Sequence, residues 1–254
     1  MLTLAIFPSV TGDNYNRVER WQRIAKTPSK RVLSPSAITR LTRAIGEGHR
    51  MALIRQRLSR VGKSDFLALD STTRSAYGST LANIRWGKNK EGVKLPNTVE
   101  VVVYSLDGHE PVYYNTFPGN INDHRTVDII RADLEHAGLA HSVTVTDRGY
   151  ETIQTLELLV IKGVAFIMAT KVGQRHVKDT ISSLAPFTTR PEEMRYDRLT
   201  GLYHLQRRVE YEIETERKKV VKADRLMVNL YFDSLLRSEQ SASLDADLYD
   251  MEEE

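Results

Sequence analysis

Two aspartates occupy equivalent places in the chain. Asp70 follows the short apolar run Phe66-Leu67-Ala68-Leu69, and Asp147 follows Ser142-Val143-Thr144-Val145-Thr146. Each reads as the residue on which a strand ends. If the strand before Asp147 returns beside the strand before Asp70, two carboxylates meet at one sheet edge. An oxygen-only, strongly negative pair of this kind suits Mg²⁺ or Mn²⁺ and disfavours zinc. Two carboxylates holding divalent ions are what in-line phosphoryl transfer uses. The plain alternative is that each Asp forms the turn after its strand. Other chemistries find little support. The chain has no cysteine, which removes thiolate metal sites, disulfides and cysteine nucleophiles. Its seven histidines show no metal-ligand spacing and read as surface or helix-end residues, and there is no glycine-rich phosphate loop or nucleophile elbow.

The elements that would bring Asp70 and Asp147 together are legible in the pattern. After the Phe66–Leu69 strand, residues 98–106 are rich in valine and close at Asp107-Gly108, and residues 111–117 form a hairpin partner. Asp123 reads as the cap of a helix carrying Val127, Ile130 and Leu134 and ended by Gly138. The strand 142–146, a helix over 150–161 and a strand over 164–170 follow. Three strands in hairpin succession, then right-handed crossovers, predict a mixed five-stranded α/β sheet with flanking helices. Beyond Lys171 the pattern loosens into strands at 203–211, 225–232 and 218–221, then an acidic end, 245–254, that reads as frayed or helical.

Charge divides the chain. Residues 1–63 carry 13 basic and 3 acidic side chains, whereas residues 233–254 carry 1 basic and 8 acidic. The basic end is the natural place for a polyanion. Ser34-Pro35-Ser36 opens a helix with Ile38, Leu41 and Ile45 on one face, Gly46-Glu47-Gly48 ends it, and a second helix covers 49–61. With Arg40 and Arg43 outside, the pair fits either a helix-turn-helix DNA reader or a generic helical hairpin. Trp21 and Trp86 read as packing residues. Arg85, Lys88 and Lys90 form a basic loop between the first two strands, a backbone clamp for DNA or a solvated loop. The apolar stretch 153–168 is interrupted by Glu157 and Lys162, and Met1–Phe7 lacks the flanks of a secretory signal, so a cytoplasmic protein without a membrane span is expected.

Several words occur in order: Leu69-Asp70-Ser71-Thr72-Thr73, Gly87-Lys88-Asn89-Lys90-Glu91-Gly92, Pro111-Val112-Tyr113-Tyr114, Phe117-Pro118-Gly119-Asn120-Ile121-Asn122-Asp123 and Thr146-Asp147-Arg148-Gly149-Tyr150. The ordered set, over about residues 30 to 233, resembles the DDE transposases of bacterial insertion sequences, in the IS-four superfamily. The resemblance implies a ribonuclease-H-like core over 64–170, a basic helical DNA-binding region over 1–63 and part of a β-rich insertion over 171–254. It further implies Asp70 and Asp147 as catalytic, metal-binding acids with Mg²⁺ or Mn²⁺. Arg40, Arg43, Arg85, Lys88, Lys90 and Arg148 become candidates for DNA contact. Asn120 and Asp123 belong to the Pro-Gly-Asn word and read as a turn and a helix cap. The implied partners are transposon-end and target duplexes, with a homodimer on DNA in the bacterial nucleoid. The implied activity is cleavage and strand transfer.

One part of the pattern is missing. The family's third acid is a Glu in the spacing Tyr, two residues, Arg, three residues, Glu, six residues, Lys. The later tyrosines 196, 203, 211, 231 and 249 have Leu199, Gln206, Glu214, Ser234 and Glu252 where the Arg should stand. Glu239, Glu252, Glu253 and Glu254 are acids without that motif. The expectation is a chain that stops within the insertion, inactive alone. Its rivals are a non-catalytic DNA-binding fragment, a ribonuclease-H-like metal nuclease, and a phosphohydrolase with Asp70 as nucleophile. The last is weakened because Thr72 stands where a second Asp would be needed.

Overall fold

A computed structural model describes residues 2–78, 83–90, 92–183, 194–214 and 220–253. The chain forms two compact units, residues 1–60 and 61–254.

The first unit contains α1 (Leu2–Thr11), α2 (Val18–Gln22), α3 (Pro35–Arg43) and α4 (Glu47–Leu58). The Ser34 hydroxyl accepts from Ala37 N at 3.3 Å with Pro35 in the first turn, the start that the sequence predicts. Gly46 separates α3 from α4, and the His49 ring accepts from Gly46 N at 3.3 Å, a helix-end role for this histidine. Leu4, Phe7, Val18 and Ile38 make the core, with Trp21, Leu33 and Leu41 packed against it. Trp21 lies 5.4 Å from the Phe7 ring and is the packing residue expected. Arg40 and Arg43 are exposed on α3.

The second unit is built on β1 (Phe66–Ser75), β2 (Asn97–Ser105), β3 (Glu110–Pro118), α5 (Asp123–His136), β4 (Val143–Thr146), α6 (Ile153–Ile161) and β5 (Phe166–Met168). The sheet order is β3-β2-β1-β4-β5, with β1–β2 and β2–β3 antiparallel and β1–β4 and β4–β5 parallel. The mixed α/β sheet is therefore the predicted one. One face is buried: Leu67 and Leu69 of β1, Val99, Val101 and Val103 of β2, and Tyr113 and Phe117 of β3 alternate inward. Arg131, fully buried on α5, donates to Ser142 Oγ (3.0 Å), Ala140 O (3.1 Å) and Thr144 Oγ1 (3.4 Å). Tyr113 donates to Asp133 at 2.5 Å. These bonds tie α5 to β3 and β4 across that face. The opposite face leaves Val102, Tyr104, Tyr114 and Ile167 exposed.

Beyond the sheet come α7 (Arg175–Ser182) and a second sheet of β6 (Arg195–Asp197), β7 (Leu202–Glu214) and β8 (Val220–Phe232), then α8 (Ser234–Glu253). The strands predicted at 203–211 and 225–232 are β7 and β8, and the acidic end is helical. Lys218 and Lys219 of the separate strand expected at 218–221 lie outside the described residues; Val220 and Val221 begin β8.

Three boundaries differ from expectation. Asp70 does not end β1, which continues to Ser75 because β2 goes on pairing with it as far as Ser75↔Asn97. Residues 71–75 alternate buried and exposed in polar side chains, so no apolar run marks them. Asp123 is not the cap of α5 but its first helical residue; Asn122 holds the cap position. The segment 148–150 is a 3₁₀ turn set off from α6, because the Asp147 side chain accepts from Gly149 N at 3.0 Å and Thr152 caps the helix that follows.

Candidate active site

The register of β1 against β4 decides the geometry. Leu69 pairs with Thr146, so Asp70 and Asp147 are the next residues on adjacent parallel strands. β4 stops there while β1 runs on. Both carboxylates are exposed at that edge. Asp70 Oδ1 accepts from its neighbour Ser71 N at 2.7 Å, and Asp147 Oδ1 from Gly149 N at 3.0 Å. One oxygen of each carboxylate is thus oriented by local backbone, which leaves the other for a ligand. A Cβ at Gly149 would lie 3.1 Å from Asp147 Oδ1, a tight contact at which the carboxylate would have to give way.

A third carboxylate comes to the same edge. β3 is antiparallel to β2, which is antiparallel to β1, so β3 delivers the chain to the end where β1 passes β4. The helix that follows starts there with Asp123. Its carboxyl is half-buried, and its pKa is raised mainly by burial; Lys90 and Lys88 oppose the rise and Asp147 adds to it. Tyr150 comes in from the 3₁₀ turn with 1% exposure. Its phenol is pushed well above the ordinary tyrosine value, first by burial and then by Asp123, Asp70 and Asp147. Ser71 lies close enough to favour the phenolate, yet that contact lacks the geometry of a hydrogen bond. The Tyr150 hydroxyl has no partner among the described residues.

The basic loop is pinned to this edge by main chain. Arg85 and Asn97 exchange backbone hydrogen bonds at 3.1 and 2.9 Å. Gly87 and Gly119 pack backbone against backbone: a Cβ on Gly87 would lie 1.8 Å from Gly119 O, and one on Gly119 2.2 Å from Asn97 O. Lys90 Nζ donates to Ser71 O at 2.6 Å and Ser71 Oγ at 3.0 Å, so its amine is anchored on β1. Lys88 is exposed within electrostatic range of Asp123, and Arg148 is exposed beside Asp147. Trp86, expected to pack, is instead 69% exposed next to this loop, because Gly87 and Asn97, not an indole, fill the contact with the sheet.

Asp70, Asp147, Lys88 and Lys90 are therefore brought together, with Arg148 adjoining. Arg85 is held in the bridge to Asn97, and Arg40 and Arg43 belong to the other unit. Sequence reasoning missed the convergence of Asp123, Tyr150 and Ser71 on this edge. Strand direction was the available signal, since each of the three follows or continues a strand that points to the same end. Among the described residues no three His, Asp or Glu side chains are close enough to hold a metal ion together. The donor set still fits Mg²⁺ or Mn²⁺. Mg²⁺ commonly takes one or two protein carboxylates and completes its shell with water and substrate phosphate.

Residues 62–249, about three quarters of the chain, match the family described as "Transposase DDE domain". The chain belongs to this family. Divalent-metal dependence is a property of the family. A search of curated proteins finds no match. Solved structures similar to this transposase DDE domain include a piggyBac transposase synaptic complex with hairpin DNA (12% identity, TM-score 0.44, 87% of this chain and 49% of that one). A Drosophila P element transposase strand transfer complex is also similar (12%, 0.36, 67% and 40%), as is a Mos1 transposase paired-end complex with left transposon end (9%, 0.27, 64% and 56%). The chain spans about half the length of these proteins. No helix among the described residues is long and apolar enough to cross a membrane.

Proposed function

We propose that this DDE domain serves the transposase of a bacterial insertion sequence of the IS-four type, with Asp70 and Asp147 as its metal-binding acids. The observation that carries the reading is the register of β1 and β4, which sets the two carboxylates side by side in a chain whose family is that of DDE transposases. A bound Mg²⁺ or Mn²⁺ would supply Lewis-acid stabilisation of phosphoryl oxygens and an activated oxygen nucleophile. Water is the nucleophile in cleaving a transposon end, and the freed 3′-hydroxyl is the nucleophile in joining it to target DNA.

The chain's own residues bind and orient. Asp70 and Asp147 each present one oxygen while the other is fixed by a backbone N–H. Arg148, exposed beside Asp147, and Lys88, exposed within range of Asp123, contact backbone phosphates of the DNA. Lys90, anchored on Ser71, holds the basic loop against β1 and offsets the negative field of Asp123. Arg40 and Arg43 on α3 add sequence-independent affinity for duplex DNA.

Calorimetric titration of the chain with Mn²⁺ tests the assignment. The parent binds, and the Asp70→Asn, Asp147→Asn double variant gives no binding heat. Unchanged heats in the double variant refute the shared site.

A further inference from the structure

Asp123 and Tyr150 are not accounted for by a two-carboxylate site. Asp123 is an acid in the first turn of α5, placed where Asp147, Lys88 and Lys90 all act on it. Tyr150 is a buried phenol whose hydroxyl has no hydrogen-bond partner among the described residues, at the point where Asp70, Asp123 and Asp147 all act on it. A buried donor without a partner costs stability, about 1–3 kcal/mol in general, so its retention at an acidic edge calls for an acceptor that cation binding brings within reach. Asp123 is not close enough to be a direct ligand together with Asp70 and Asp147. Strand direction brings it to the same edge, and Mg²⁺ or Mn²⁺ bound by two carboxylates keeps several waters.

We propose that Asp123 and Tyr150 form an outer ring of the cation site. In this arrangement the Asp123 carboxylate accepts hydrogen bonds from the cation's hydration shell, and the Tyr150 hydroxyl donates to a carboxylate that holds the cation. Both are positioning residues. Ser71 lies beside both Tyr150 and the anchored amine of Lys90. The arrangement rests on the assignment of Asp70 and Asp147 as the direct ligands. It adds a function for the first turn of α5 and for the tyrosine of the Asp-Arg-Gly-Tyr word. Partners in such an outer shell are commonly worth 10–100-fold in metal affinity.

The test is Mn²⁺ titration of the full chain and of Asp123→Asn and Tyr150→Phe, alongside metal-free thermal unfolding of each. Both substitutions are nearly isosteric, and neither removes a hydrogen bond seen in the structure. The expected result is Mn²⁺ binding weakened by about 10–100-fold in each variant with stoichiometry unchanged. The metal-free midpoint of Tyr150→Phe should be equal to the parent's or higher, because an unpartnered buried hydroxyl has been removed. A purely structural tyrosine would move stability and affinity in the same direction. Parent-like Mn²⁺ affinity in both variants, with binding lost in the Asp70→Asn, Asp147→Asn pair, overturns the outer ring and leaves the two-acid site standing. Absence of Mn²⁺ binding in the parent overturns both.

Discussion

Gly119→Ala is the sharpest perturbation available at the junction of the basic loop and the sheet. A Cβ at this position would stand 2.2 Å from Asn97 O, 2.4 Å from Asn97 Oδ1 and 2.5 Å from Arg85 O. Two of those atoms are main-chain carbonyls, so no side-chain rotation relieves the clash. The carbonyls of Asn97 and Arg85 are also the acceptors in the bridge that pins the loop to β2. Overpacking of a closed site costs about 1–3 kcal/mol. Loss of the two bridge hydrogen bonds adds about 0.5–1.5 kcal/mol each. The sum is about 2–6 kcal/mol, which raises the population of the detached loop by a factor of roughly 30 or more. Urea unfolding followed by circular dichroism, with limited proteolysis under native conditions, measures both parts. Gly119→Ala should unfold at lower urea and be cut faster within residues 83–96. Gly62→Ala, where the added Cβ meets nothing within 4 Å, is the control and should change little. A Gly119→Ala midpoint and cleavage rate equal to those of the Gly62 control would refute the claim that this close backbone approach holds the loop.

Two further outcomes are expected. Folding raises the pKa of Asp123 above 3.8, chiefly through burial, so the fold favours its protonated form and the ionised carboxylate costs stability as pH rises through the folded value. Without metal, Asp123→Asn should therefore unfold at a higher temperature than the parent near pH 7. That advantage should vanish at about pH 3, and a variant less stable at both pH values would contradict the burial account. Replacing Arg40 and Arg43 together by Ala should weaken duplex binding evenly across sequences and lower the salt-dependence slope by about two, measured by fluorescence anisotropy over a salt series. An unchanged slope would place the phosphate contacts elsewhere.

Much of the fold was legible because its strands and helices carry their own periodicity. Val99, Val101 and Val103 alternate inward on β2; Val127, Ile130 and Leu134 line one side of α5; and Ser34-Pro35 starts α3. Asp70 and Asp147 were legible as a pair because crossover handedness leaves few ways to return β4 to the sheet. Elements whose signal lies in a partner were not legible. The second half of β1 is polar and is a strand only because β2 runs beside it. Trp86 has an ordinary packing residue's chemistry but lies outside a contact made by glycine backbone and Asn97.

The sequence by itself therefore determined the order of elements, the basic and acidic ends, and the pairing of the two acids, Asp70 and Asp147, that we propose bind the metal. Those features are set by local periodicity, residue charge and the handedness of connections, none of which requires a partner to be known. Tertiary structure alone decided that Asp123 and the Tyr150 hydroxyl, which has no partner among the described residues, share the edge of Asp70 and Asp147. It also decided that Lys90 is anchored on Ser71 and that Gly87 and Gly119 meet backbone to backbone. Each of these joins residues far apart in the chain through burial or close approach, and both come into being only when the sheet is assembled.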